Sequence, residues 1–307
     1  MTIWTIPLVK IEPNGLTITK SIFSDLDLFR HYHTTPAEMF GGPREFYSNF
    51  SNQSKTRLRR AFHLLLAISK EKTFLDRNKN RVIKYLLTFT TLTLSAKQGT
   101  HSDYAIKKQC LDNYLQNLRH SGGLTHYIWR AEPQKNGNLH FHITANQSWD
   151  WQYIRDTWNN AQKRLGYIDL FNEKHHHINP NSTDIHSVRK IEKAGAYISK
   201  YISKIDNDSR LVQGKIWDCS QSLKPKQKCT IYCQGNDHDA LCLLERQFED
   251  RIYSADHFKF IPLSKTELVN HLPPEWLTLY NNYLHSINTK YFSGNNEKKP
   301  ISNFSNS

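Results

Sequence analysis

Two imidazoles separated by one residue, His140 and His142 in the run Leu139-His-Phe-His-Ile-Thr144, converge on one ion only if the backbone there is extended. In a strand, alternate side chains share a face, so both histidines project together and Phe141 points the opposite way, into a core. Glu132 stands eight residues before His140, across the short connection Pro133-Gln-Lys-Asn-Gly137, whose proline and Asn-Gly pair suit a hairpin. Antiparallel pairing brings its carboxylate to the same face. Two histidines and a carboxylate make a three-ligand metal site with open positions. The same pattern is also compatible with an ordinary alternating strand in a chain that holds 16 histidines.

A second constellation is Ala196-Tyr-Ile-Ser-Lys-Tyr-Ile-Ser-Lys204. On a helix, Tyr197 and Tyr201 lie one turn apart on one face, with Lys200 and Lys204 close beside them. Paired tyrosines at this spacing can be amphipathic packing. Ile198 and Ile202, however, supply a separate apolar face and leave the phenols free. With a reference pKa of about 10, a phenol needs a neighbouring cation or an activated substrate to act as a nucleophile, and lysine and metal offer both. His175-His-His177 falls in a polar segment that reads as a loop, and His186 stands alone in a strand.

The elements that must position these residues follow from periodicity. Tyr85–Ser95 is threonine- and leucine-rich with near alternation, a first strand. From Asp103, Ile106, Cys110, Leu111, Tyr114, Leu115 and Leu118 recur at helical steps until Ser121-Gly-Gly123. The hairpin of Thr125–Glu132 and Leu139–Thr144 comes next. Asp150 caps a helix with Ile154, Trp158, Ala161 and Leu165 on one face, ended by Gly166. A strand around Asp184–Val188 precedes a helix from Glu192 to about Ile205. The order β-α-β-β-α-β predicts an α+β domain with a ferredoxin-like, RRM-like split βαβ antiparallel sheet.

This domain is expected over 81–205. It follows a basic N-terminal extension (1–80), in which Ser54-Lys-Thr-Arg-Leu-Arg-Arg60 runs into the apolar Ala61–Ile68 as a helix, and precedes a mixed region (206–292) and a disordered tail (293–307). Trp158 belongs to the core, whereas Trp149, Trp151 and Tyr153 are candidates for stacking on unpaired bases.

Composition narrows the function classes. With a formal charge of +13 and a pI near 9.4, the chain is attracted to polyanions. A mean hydropathy of -0.67 and the absence of a long apolar run predict a soluble protein without a membrane segment. The start lacks the features of a secretory signal, so a cytoplasmic location is expected. Five cysteines, an odd number, read as reduced thiols, and the four between 219 and 242 lack a Cys-x-x-Cys knuckle.

Taken together, His140-Phe141-His142 resembles the His-hydrophobe-His motif of HUH endonucleases, and Tyr197-x-x-Lys200-Tyr201-x-x-Lys204 resembles their two-tyrosine catalytic helix. The threonine-rich strand around Leu92-Thr-Leu94 is similar to their first motif, and Trp129-Arg-Ala-Glu132 to the run before the metal strand. Over residues 85–204 the chain resembles the two-tyrosine rolling-circle replication initiators of single-stranded DNA phages. Gly214-Lys-Ile-Trp-Asp-Cys-Ser220 faintly resembles a segment after the catalytic helix of related initiators.

The resemblance implies that His140 and His142, with Glu132, hold Mg²⁺ or Mn²⁺ against the scissile phosphate of single-stranded or hairpin origin DNA. One tyrosine attacks, leaving a 5′-phosphotyrosine and a 3′-hydroxyl that primes a host polymerase; the second acts when the unit is complete, and the released strand is closed. The basic residues around the two motifs, Arg130, Lys135, Arg189, Lys190 and Lys193, are the expected DNA contacts. No Gly-x-x-x-x-Gly-Lys-Ser/Thr loop is present, so a helicase is expected from the host, a bacterial cytoplasm. The competing readings are a transposase or relaxase of the same superfamily, a two-histidine-one-carboxylate iron oxygenase, and a non-catalytic nucleic-acid-binding module.

Overall fold

Alternating burial along short threonine-, isoleucine- and phenylalanine-rich runs produces three antiparallel sheets in the computed structural model. It describes residues 3–24, 51–76, 81–188, 210–224, 229–255 and 258–292. The chain divides into two compact units: Met1–Thr5 with Ile22–Lys224, and Ile6–Ser21 with Pro225–Ser307. The predicted helix over Glu192–Ile205 and the predicted disordered tail lie outside the described residues.

The sequence opens with β1 (Ile3–Glu12) and β2 (Gly15–Ser24), whose central parts belong to the second unit. The reading of residues 1–80 as an irregular start and a basic helix missed this hairpin, because the strands that flank it come from the far end of the chain.

In the first unit, Ser51 caps α1 (Asn52–Ile68), its side chain accepting from the Ser54 amide at 3.2 Å. Leu58, Ala61, Phe62, Leu65 and Ile68 are buried along this helix, which the run from basic to apolar residues predicts. A two-stranded ribbon follows, β3 (Lys72–Asp76) and β4 (Arg81–Tyr85). The predicted strand over Tyr85–Ser95 is therefore divided: β4 ends at Tyr85, and β5 (Leu87–Leu92) starts after Leu86.

Next comes a helical segment, α2 (Asp103–Ile106), a π-helical turn (Lys107–Leu111) and α3 (Asp112–His120). The hairpin β6 (Tyr127–Pro133) and β7 (Leu139–Ala145) is as expected, as is α4 (Trp151–Lys163) with Asp150 at its N-cap. Gly166, at φ 75°, begins a further helix, α5 (Tyr167–His175), in a stretch to which the sequence reading assigns no element; its last residue is the first of the His175–His177 run read as a loop. Buried Tyr167 and Ile168 are its apolar signal. β8 (Thr183–Val188) and β9 (Trp217–Cys219) complete the unit.

The sheet order is β8-β5-β7-β6-β9, with every pair antiparallel. This α+β arrangement is compatible with the predicted ferredoxin-like fold. Phe141, fully buried, packs edge-on to Trp158 of α4 with ring centroids 5.9 Å apart. Leu92, Ile143, Tyr114, Leu118 and Ile154 join the same core. One sheet face is thereby committed to the helices, and the other is left for chemistry.

In the second unit, β10 (Cys229–Tyr232), α6 (Asn236–Gln247), β11 (Tyr253–Ala255), β12 (Phe258–Pro262), α7 (Lys265–His271) and α8 (Pro274–Phe292) follow in order. Its sheet runs β10-β1-β2-β12-β11. Val9, Leu16, Ile231, Ile261 and Trp276 are core residues. A Cβ on Gly15 would sit 2.1 Å from the Ile261 carbonyl oxygen, so only glycine allows β2 to meet β12 there. Among the described residues no helix is long and apolar enough to cross a membrane. All five cysteines are free, and burial pushes the Cys110 thiol up to about 12, so that it stays protonated.

Buried Asp103 anchors the segment around Arg210. Arg210 binds it in a fork, Nη1 to Oδ2 and Nη2 to Oδ1, each at 2.8 Å, and the Gln213 amide donates to Oδ2 at 2.9 Å. Burial alone would raise the Asp103 pKa, but the bonds from Arg210, Gln98 and Gln213 and the Arg210 charge hold it below the usual value. A depressed folded-state pKa means stability that is present above the unfolded value of about 3.9 and lost as the pH falls through the folded one. Arg210→Ala is expected to destabilise the protein by about 1–3 kcal/mol at pH 7. In urea unfolding, the gap between variant and wild type should shrink below about pH 4.

Candidate metal centre

The register of the central hairpin builds the site. Glu132 lies opposite His140, Arg130 opposite His142, and on the other side Thr91 of β5 opposite His142. Because side chains alternate, these five residues share the face turned away from the helical core. Glu132 and Arg130 are almost fully buried, and His140 and His142 are partly open.

One carboxylate oxygen is the focus. Glu132 Oε1 accepts from His140 Nε2 at 3.0 Å and also contacts His142 Nε2. The two imidazoles meet edge to face, with centroids 4.5 Å apart. Ligand atoms of all three residues lie within 4.8 Å of one another, the one such group among the described residues.

Three observations fit a divalent cation here. His142 Nδ1 is 3.1 Å from Thr91 Oγ1, an interaction that leaves Nε2 as the ligating nitrogen. Phe89 stacks on the His142 ring at 5.4 Å and restrains its plane. His140 Nδ1 is buried with no partner among the described residues, so its Nε2 is the nitrogen that reaches the shared oxygen. The site could hold a divalent metal through one carboxylate oxygen and two imidazole nitrogens.

The electrostatics agree. Burial tends to raise the Glu132 pKa, but hydrogen bonds from His140 and His142 and the charges of His142 and Arg130 outweigh it and hold the carboxyl well below the usual range. Burial, with smaller contributions from the charges of His140 and Arg130, pushes His142 below the ordinary imidazole value against the pull of Glu132. A carboxylate kept ionised beside a histidine kept neutral is the protonation state a metal requires.

Residues 87–206 match the model of a family described as replication-associated protein ORF2. The match supports a rolling-circle Rep-type family, and the triad within it could hold a divalent metal. No curated protein and no solved structure matches the chain.

The structure brings Glu132, His140 and His142 together. It places Arg130 inside the site, Nη2 at 3.4 Å from Glu132 Oε2, rather than on an open surface. Lys135 is exposed in the hairpin turn. Tyr197, Tyr201, Lys200, Lys204, Arg189, Lys190 and Lys193 lie outside the described residues.

The stacking candidates fall elsewhere. Trp149 and Tyr153 pack against the helical core, with Trp149 Nε1 donating to the Gly122 carbonyl at 2.8 Å. Trp151 is exposed, and the Arg155 guanidinium sits 4.7 Å above its ring. Trp158 is core, as expected.

Sequence reasoning missed Thr91 and Phe89, which only the β5–β7 register connects to His142. It also set aside His186, which pairs with Asp184 at 2.7 Å on the exposed β8. Through Phe89 and Thr91, this pair is in register with the metal face.

Titration calorimetry with Mn²⁺ tests the centre. His142→Ala should abolish binding, and Thr91→Val should weaken it by about 10–100-fold by freeing the ring. Affinity should hold down to the ordinary imidazole value and fall only below it, as His142 takes up a proton.

Proposed function

We propose that the protein is a rolling-circle replication initiator that nicks single-stranded origin DNA through a tyrosine and rejoins the product strand. One coincidence carries this reading: the single stretch that matches the replication-associated family, 87–206, includes both the Glu132, His140 and His142 triad and the paired Tyr197 and Tyr201. The sheet supports it as a split βαβ core, since β7 lies between β5 and β6, with helices after β5 and after β7. We take 81–205 as the nuclease segment.

The flanks of the tyrosine stretch lie far apart. Val188 is paired with Leu87, at the end of the sheet away from the hairpin turn. Arg210 Nε donates to the Gly137 carbonyl at 2.9 Å, in that turn.

When bound, Mg²⁺ or Mn²⁺ would polarise the scissile phosphate and stabilise its developing charge. A phenol oxygen of Tyr197 or Tyr201 attacks phosphorus, forming a tyrosyl ester with the 5′ phosphate of the downstream fragment while the bond to the 3′ oxygen of the upstream fragment breaks. The phenol proton passes, directly or through solvent, to that oxygen, which leaves as a hydroxyl. Lys200 and Lys204 offset the phenolate charge. The second tyrosine repeats the cut on the completed unit, and the freed 3′-hydroxyl attacks the first ester to close the strand. The phosphotyrosine retains the energy of the diester, so no nucleotide is consumed.

Lys135, Arg189, Lys190 and Lys193 are backbone-binding candidates on this reading, while Arg130 acts from within by holding Glu132. The 3′-hydroxyl primes a host polymerase, a host helicase opens the duplex, and the setting is a bacterial cytoplasm.

Incubation with single-stranded origin DNA and Mn²⁺, followed by denaturing electrophoresis, should reveal a covalent protein–DNA band. Chelation should remove it, and His142→Ala should reduce its rate by about 10²–10³-fold. A band that persists in the Tyr197→Phe/Tyr201→Phe double variant would rule out the tyrosine mechanism.

A further inference from the structure

The N-terminal helix α1 is not used by the chemistry above, yet it is attached to the same sheet face. Its Leu58 and Phe62 line a small open cavity together with Ile128, Arg130, His142 and Thr144. Near its start, Ser54 Oγ accepts from Trp217 Nε1 at 2.7 Å, and Trp217 is paired with Arg130 across β9 and β6. Held at these two places, α1 forms a wall next to His142.

The N-terminal half of the wall is cationic. Asn52–Ile68 contains Lys55, Arg57, Arg59 and Arg60 and no acidic residue. Arg57, Arg59 and Arg60 are exposed, and Lys55 is half-buried. This pattern works against the helix itself. Like charges at i and i+4, here Lys55 and Arg59, repel, and cations in the first turns oppose the helix dipole. An anion beside the helix would relieve both.

The positions are not equivalent. At about 100° per residue, Lys55 and Arg59 fall about 40° apart, on the flank next to Phe62, which borders the cavity. Arg57 falls about 140° away from Phe62, between Leu64 and Ala61.

We propose that α1 is the guide for single-stranded DNA at the metal centre, with Lys55 and Arg59 contacting successive backbone phosphates on the side that faces His142. The choice of polyanion rests on the nicking reading. A scissile phosphate at the triad leaves the neighbouring nucleotides running along this wall, where charge complementarity favours them.

The test reads binding alone. The full-length protein is titrated into labelled oligodeoxythymidine without divalent metal, by fluorescence anisotropy over a series of NaCl concentrations. Each phosphate contact to a single strand contributes about 0.7 to the slope of log affinity against log salt. Lys55→Ala/Arg59→Ala should make that slope shallower by about 1.4, and Lys55→Arg/Arg59→Lys should restore it. Arg57→Ala should leave it at the wild-type value. Circular dichroism establishes that each variant is folded.

An unchanged slope in the double alanine variant overturns the proposal, as does an equal loss in Arg57→Ala, which would mean that only bulk charge matters. Because no cleavage is read, such a failure would leave the covalent-band test intact. Conversely, a missing covalent band together with the expected slopes would remove the nicking reading and keep α1 as a single-strand-binding element.

Discussion

Two imidazoles converge on one carboxylate oxygen, and almost everything else in the first unit serves to make that possible. The convergence depends on a register: Glu132 opposite His140 and Arg130 opposite His142. A slip of one residue in this hairpin would turn the histidines toward Trp158 and drive Phe141 onto the open face. The register is held from both sides, by the pairing of β5 with β7 and by the burial of Phe141 against α4. Core packing and site geometry are thus two sides of the same strand, and neither can change without the other.

The charge arrangement follows from the same constraint. Burying a carboxylate without a partner is costly. Here Arg130 occupies one oxygen of Glu132 and the histidines the other. Arg130 adds its charge to the histidine hydrogen bonds that keep the carboxyl ionised and, through Oε2, leaves Oε1 directed at the imidazoles. An arginine that sequence reasoning assigned to DNA is, in the fold, part of the electrostatic support of the ligand.

What could be read in advance was local. Alternation in Leu139–Thr144, the Pro133–Gly137 turn, the cap at Asp150 and the helix over Ala61–Ile68 each depend on neighbours within a few residues, and each reads correctly. What escaped is set by distant partners. Thr91 is an ordinary strand threonine until β5 pairs with β7. The opening hairpin looks irregular because its strands are completed by Cys229–Tyr232 and Phe258–Pro262. The helix after Gly166 was hidden for a different reason: the glycine that ends one helix also starts the next, at φ 75°.

The pairing of β1 with β10 has a consequence for how the protein is made. Val9 lies against Ile231, more than two hundred positions later in the chain. On a ribosome, the first unit can complete its sheet once β9 has emerged, while the opening hairpin still lacks β10 on one side and β12 on the other. Contacts this distant in sequence form slowly, and unpaired strand edges favour aggregation. The opening hairpin must therefore remain unpaired on both sides throughout synthesis of the first unit's central sheet. Its flanking positions are thus under a selective pressure, resistance to premature strand addition, that is unrelated to DNA.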